Sequence, residues 1–349
     1  MKHDFSIIEG AYFKDILDQP RALMETWRGL EAQPELEDLA VQLRHGNFDR
    51  MILTGMGSSF HALNPLNLEL VDQLLSPIMM ETSELIHYGQ RFFDPSTLVI
   101  AVSQSGRSAE IVRMLELNRK RASIVGVTNT GDSPLAKLAD AVVLTRAGEE
   151  STVSCKTYVC TLMVLRWLAD QLCLRSTEGT LKEFTAAFPA VKEYLAGTAS
   201  HVWAFANELQ GIRSMFMVGR GSSLATVGTG ALTVKESDRF HAEGMSSAAF
   251  RHGPMEMLNS GIFVLIFGGD PLIQALNKRL CMEIRGHGAK AFLCSPDSEF
   301  ASARIPDLSE SVRPILEILP VQMITLALAA LAGHEAGRFE KATKITSTE

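Results

Sequence analysis

The most regular feature of the chain is the exchange of short aliphatic runs for amphipathic stretches. Residues 98–102 (LVIAV) contain no polar position, as in a strand covered on both faces of a parallel sheet. From Ala109 onward, Ile111, Val112, Leu115 and Leu117 recur at helical spacing. The same pattern predicts strands at 50–53, 78–80, 123–127 and 141–144, and helices at 60–75, 84–90, 134–139 and 158–174. Strands alternating with helices predict an α/β fold with a doubly wound parallel sheet. Residues 1–48 read as peripheral helices broken at Pro20 and Pro34. After a boundary near 175–180 and a helical stretch over 181–210, strands are predicted again at 214–218, 262–267, 290–294 and 315–319. An apolar helix over 321–333 and a polar tail over 338–349 close the chain, and no apolar run reads as long enough to span a membrane.

The turns between these elements carry the chemistry. Ser103-Gln104-Ser105-Gly106-Arg107-Ser108 joins the 98–102 strand to its helix. Hydroxyls, free backbone N–H groups and the positive end of a helix dipole can together hold one small anion there. The plainer alternative is that Ser105 or Ser108 only caps the helix. The loop is neither a Walker loop nor a GxGxxG fingerprint, so a small phosphate ester suits it better than a nucleotide. Thr54-Gly55-Met56-Gly57-Ser58-Ser59 and the hydroxyl-rich 145–157 segment also follow strands, so three loops are expected to converge at one crevice. Gly219-Arg220-Gly221-Ser222-Ser223 repeats the first of these, which implies an internal duplication. In the second half Gly268-Gly269-Asp270 stands in place of Ser103-Gln104-Ser105; an aspartate repels phosphate, so the anion site is expected in the first half alone.

Composition narrows the function classes. A length of 349 residues suits two domains, and 46% hydrophobic content is ordinary for a globular protein. A net charge of −7 leaves no electrostatic footprint for nucleic acid or an anionic membrane, and no basic helix-turn-helix is evident. The five cysteines are scattered without a CxxC pair, which indicates reduced, mostly buried thiols; Cys155 has no nearby histidine in sequence to activate it. Asp4, Glu9, Asp15 and Asp18 occupy the stretch where a signal peptide needs an apolar core, so a cytoplasmic protein is expected.

The blocks KDILDQPRAL, GMGSSFHA, VIAVSQSGRSAE, TRAGEESTVSCKTY, VKESDRFHAEGMSSAAFRHGPMEML, LPVQ and KATKITSTE occur in an order that resembles the sugar isomerase (SIS) domain family. Within it, the chain is similar to tandem proteins such as the isomerase half of glucosamine-6-phosphate synthase, fructosamine-6-phosphate deglycases and SIS-type glucosamine-6-phosphate deaminases. The resemblance implies two tandem SIS domains, each a doubly wound, mostly parallel sheet flanked by helices. The segments expected are an N-terminal helical segment (1–48), a sugar-phosphate-binding SIS domain (49–178), a second SIS domain (195–335) and an active-site tail (336–349). It also implies that Ser103, Gln104, Ser105 and Ser108 bind a sugar phosphate, that Ser58 and Ser59 contact the sugar, and that Val153 and Ser154 close over the ring. Glu236 matches the glutamate that moves a proton between C1 and C2, His252 a ring-opening histidine contributed across a dimer interface, and Lys344 a lysine beside the open-chain carbonyl.

Those residue types suit the reaction independently. A partly buried carboxylate can act as the base at neutral pH, an imidazole can protonate a ring oxygen, and an amine can polarise a carbonyl. His241 and Glu243 are second candidates. The chain departs from the synthase pattern in three places. Met1 is followed by Lys2 where a glutaminase would start with a nucleophilic cysteine, Thr233 stands where the synthase has a lysine, and Arg107 replaces a glutamate and offers a further anion contact. The tail also lacks the usual Asp-x-Pro. The resulting expectation is isomerisation of an amino-sugar 6-phosphate by proton transfer between C1 and C2 with release of ammonia or an amine, of the glucosamine 6-phosphate to fructose 6-phosphate type, without a glutaminase. Its alternatives are a fructosamine-6-phosphate deglycase, an aldose–ketose isomerase of another anionic sugar, and a non-catalytic sugar-phosphate sensor. The expected partners are the small-molecule sugar phosphate and a second copy of the chain, in a homodimer or larger assembly; no nucleic acid, membrane, metal or organic cofactor is implied.

Overall fold

The computed structural model describes residues 5–341 together with Thr343, Lys344 and Thr346. The remaining positions of the expected N-terminal segment and active-site tail lie outside the described residues. The chain divides into two compact units.

One unit comprises Arg21–Glu149, Lys156–Phe184 and the described tail from Lys341. Its sheet is built from β1 (Arg50–Gly55), β2 (Pro77–Glu81), β3 (Thr97–Val102), β4 (Ser123–Thr128) and β5 (Ala141–Leu144), in the order β2-β1-β3-β4-β5 and parallel throughout. Every residue of β3 is buried, which is why its sequence shows no alternation. Ile52, Val99 and Ile124 of the sheet pack with Leu85 of the helix Thr82–Tyr88 and with Ile111 and Met114 of the helix Ala109–Asn118. The two N-terminal prolines start helices rather than break them: Pro20 lies in the first turn of Gln19–Arg28 and Pro34 opens Pro34–Arg44, where a missing N–H costs nothing.

The other unit comprises the described part of Met1–Pro20 with Glu150–Cys155 and Thr185–Glu340. Its parallel sheet contains β6 (Ser214–Gly219), β7 (Ala242–Ser246), β8 (Ile262–Phe267) and β9 (Lys290–Cys294), in the order β7-β6-β8-β9. Phe216, Val218, Val264 and Ile266 form a core with Phe250, Leu280 and Ile284. The edge strand β7 reads AEGMS and is largely exposed, so it carries no aliphatic run from which a strand is predicted.

The strand expected at 315–319 is instead part of one helix, Arg313–Ala332, with Pro320 inside it. Pro320 splits the sequence pattern into an apparent strand and helix, but residues 313–329 are all buried, and packing on every side outweighs the backbone hydrogen bond the proline removes. The uninterrupted helix also corrects the reading of apolar length. The helix has 20 residues, and an 18-residue window of it has a mean hydropathy of 2.0, long and apolar enough to cross a membrane, while 83% of that window is buried inside the protein. A fully buried amide pair, Gln19 with Gln322, joins it to the N-terminal segment at 2.9 and 3.0 Å.

Candidate functional site

In the first-described unit β1 and β3 are adjacent, with Gly55 opposite Val102, so the Gly57–Ser59 and Ser103–Ser108 turns leave the sheet side by side. The second turn is shaped by its own hydroxyls. Ser103 Oγ accepts the Gly106 N–H at 3.1 Å and Ser105 Oγ accepts the Arg107 N–H at 3.2 Å. Each hydroxyl thereby uses acceptor capacity and keeps its O–H donor. Gln104 is fixed through its carbonyl, which accepts from Asn129 N at 3.0 Å and Thr128 Oγ1 at 3.2 Å. Gly106 has φ +60°, and a Cβ there would stand 2.3 Å from Ser133 Oγ, so only glycine fits.

Ser108 sits at the N-cap of Ala109–Asn118 in extended conformation, yet its side chain caps nothing, unlike Ser133, whose Oγ accepts from Ala136 N at 3.2 Å. The first N–H of that helix, on Ala109, donates instead to the main-chain oxygen of Thr346 at 3.1 Å. The tail that carries half-buried Lys344 therefore reaches this helix at Thr346, within the same unit. Ser58 and Ser59 open the helix Ser58–His61 after Gly57, whose φ is +53°. Arg107 turns to Asp132, Nη2 to Oδ1 2.6 Å, and this hydrogen bond and charge hold the Asp132 carboxyl below its usual range.

Glu236, His252, Val153 and Ser154 belong to the other unit. Glu236 is half-buried in the last turn of the helix Leu224–Asp238; Val153 is fully buried and Ser154 half-buried. His252 is exposed and caps the short helix Ser247–Arg251. His241 and Glu243 are both exposed, 3.7 Å apart. Around Glu236 the structure adds groups that local sequence does not mark. Asp238 Oδ1 lies 3.5 Å from His334 Nε2, Gly337 N donates to Ser237 O at 3.4 Å, and Arg239 pairs with Glu340 at 2.6 Å. Burial pushes the Asp238 carboxyl up to about 6 against the opposing pull of His334, Ser237 and Arg239. Burial likewise raises the fully buried Glu317 to about 7, with Ser223 Oγ donating to it at 2.8 Å. Asp15, Glu150 and Cys155 bring side-chain donor atoms within 4.8 Å of one another, with Glu150 Oε1 accepting the Cys155 N–H at 3.0 Å. Their separation in sequence hides that grouping.

Asp270, read from sequence as a group that repels phosphate, has a local structural use. Its Oδ1 accepts from Leu272 N at 2.8 Å and Ile273 N at 3.3 Å, so its own carboxylate occupies the start of the helix Pro271–Gly286.

Residues 47–170 match the SIS domain model. Over this stretch the chain carries an SIS domain. It is 30% identical to glutamine–fructose-6-phosphate aminotransferase (isomerizing) of Thermococcus kodakarensis, over 96% of this chain and 58% of that protein. Among solved structures it superposes on the C-terminal domain of glucosamine-fructose-6-phosphate aminotransferase from Francisella tularensis, with a TM-score of 0.83, 18% identity and coverage of 95% of this chain and 98% of that one. Glucosamine-6-phosphate deaminase from Thermotoga maritima matches with a TM-score of 0.79 at 19% identity, covering 97% and 100%. At these identities the structural matches establish the SIS fold, helices on parallel sheets, and the chain spans less than two thirds of its aminotransferase relative.

Proposed function

We propose that the chain isomerises an amino-sugar 6-phosphate with loss of ammonia, converting glucosamine 6-phosphate and water into fructose 6-phosphate and ammonia. The observation that carries this reading is the turn after β3, where the Ser103 and Ser105 hydroxyls accept turn N–H groups, Ser108 makes no side-chain cap, and the first helical N–H meets the tail that carries Lys344. A phosphate held by Ser103, Gln104, Ser105 and Ser108 would fix one end of the sugar, with Ser58 and Ser59 along its chain. Val153 and Ser154 lie on the segment that closes over the ring in this reading.

In this mechanism His252 of the partner subunit protonates the ring oxygen as the ring opens, and Lys344 polarises the resulting C1 carbonyl. Glu236 takes the C2 proton and returns it to C1, leaving an imine at C2. Water adds to that carbon, the C–N bond breaks, and the nitrogen leaves as ammonia while C2 becomes the ketone. The active form is a cytoplasmic homodimer of two SIS domains per chain.

Proton NMR of the protein with glucosamine 6-phosphate in deuterated buffer tests the reading. The expected result is fructose 6-phosphate carrying solvent deuterium, with ammonium released. Glu236→Gln should slow turnover roughly 10²–10⁴-fold while fructose 6-phosphate still binds. Neither product nor exchange at C2 would overturn it.

A further inference from the structure

The second sheet has a crevice of its own. In the order β7-β6-β8-β9 the chain leaves β6 toward β7 on one side and β8 lies on the other, so the topological switch falls between β6 and β8. Open parallel sheets bind ligands outside the carboxyl ends of the strands at this point. Arg220 directly follows β6, and Asn277 Nδ2 donates to the carbonyls of Phe267, the last residue of β8, and Gly268, at 2.8 and 3.2 Å. A cavity of about 350 Å³ opens between them, lined also by Arg251, Arg279 and Glu283.

The polar groups of this cavity are incompletely satisfied among the described residues. Asn277 is fully buried, yet its Oδ1 has no hydrogen-bond partner, and neither has the buried Nε of Arg220. Leaving such groups unpaired away from water is costly. Glu283 is committed to Arg251 at 2.6 Å, which holds its carboxyl low. Arg220 and Arg279 have no carboxylate partner among the described residues, so the lining carries an excess of positive charge.

We infer that this cavity is a second ligand site, taking a small phosphate ester with a free hydroxyl. The guanidinium forks match phosphate oxygens, and the hydroxyl supplies the donor that Asn277 Oδ1 lacks. The site uses arginines where the turn after β3 presents serines, and it does not depend on the isomerase reaction.

Titration calorimetry of the full chain with glycerol 3-phosphate tests it by binding alone, so a failure here leaves the isomerase reading standing. A Ser103→Ala/Ser105→Ala background removes the hydroxyls of the first turn. One binding event per chain should remain there, weakened about tenfold or more by Arg220→Gln and likewise by Arg279→Gln. Inorganic phosphate should bind the remaining site more weakly than the ester. No remaining event, or one indifferent to both arginine substitutions, overturns the site; equal affinity for the two probes overturns the role of Asn277.

Discussion

Asp238 Oδ1 lies 3.5 Å from His334 Nε2, at the point where the end of the Glu236 helix meets the start of the C-terminal segment. That separation is long for a hydrogen bond, and burial dominates, holding the carboxyl near 6 rather than 3.8. A raised carboxyl stabilises the fold while both states are protonated, below the unfolded value, and that contribution is lost as pH rises through the folded value. The loss across the window from about 4 to about 6 is about 3 kcal/mol. Asp238→Asn should therefore gain stability over the native chain between pH 4 and pH 7 by about that amount. Urea unfolding of both proteins at the two pH values measures it, and parallel pH dependences would refute the assignment.

Gly106, in the turn after β3, packs closely against Ser133 at the N-cap of the helix Pro134–Leu138. Gly106→Ala forces a Cβ to 2.3 Å from Ser133 Oγ at a φ of +60° and disturbs the cap that Ser133 provides to the helix Pro134–Leu138. Left-handed strain and the damaged cap together should cost about 2–3 kcal/mol and abolish sugar-phosphate binding. Denaturant midpoints and calorimetry report the two effects separately. A stable variant with native affinity would contradict the geometry.

Asp170, nearly fully buried, gathers Arg166 Nη1 and Arg175 Nε, each at 2.9 Å, and the hydroxyl of Thr180, while Arg175 also reaches Glu69 at 2.9 Å. Removing one partner from such a cluster strands buried charge. Asp170→Ala should destabilise the protein by about 3–5 kcal/mol. Thermal unfolding checks this, and a change below about 1 kcal/mol would show the cluster to be solvent-screened.

The amino-acid sequence by itself determined the features set by neighbours along the chain. Aliphatic runs such as 98–102 mark buried parallel strands, and hydroxyl-and-glycine turns such as Ser103–Ser108 mark strand-to-helix joints, because each depends on local periodicity and backbone freedom. The same is true of the repeat of GMGSS as GRGSS, which foreshadows a second sheet. Only tertiary structure decided the rest. Residues 315–319 became helix because burial on all sides outweighs the proline after them, and β7 pairs although nothing in AEGMS marks it as a strand. The pairing of Asp238 with His334, the turning of Arg107 to Asp132 and the meeting of Arg220, Asn277 and Arg279 at one cavity join residues that no short spacing connects. Charge and burial at such places are properties of packing, fixed only when distant segments exclude water from one another.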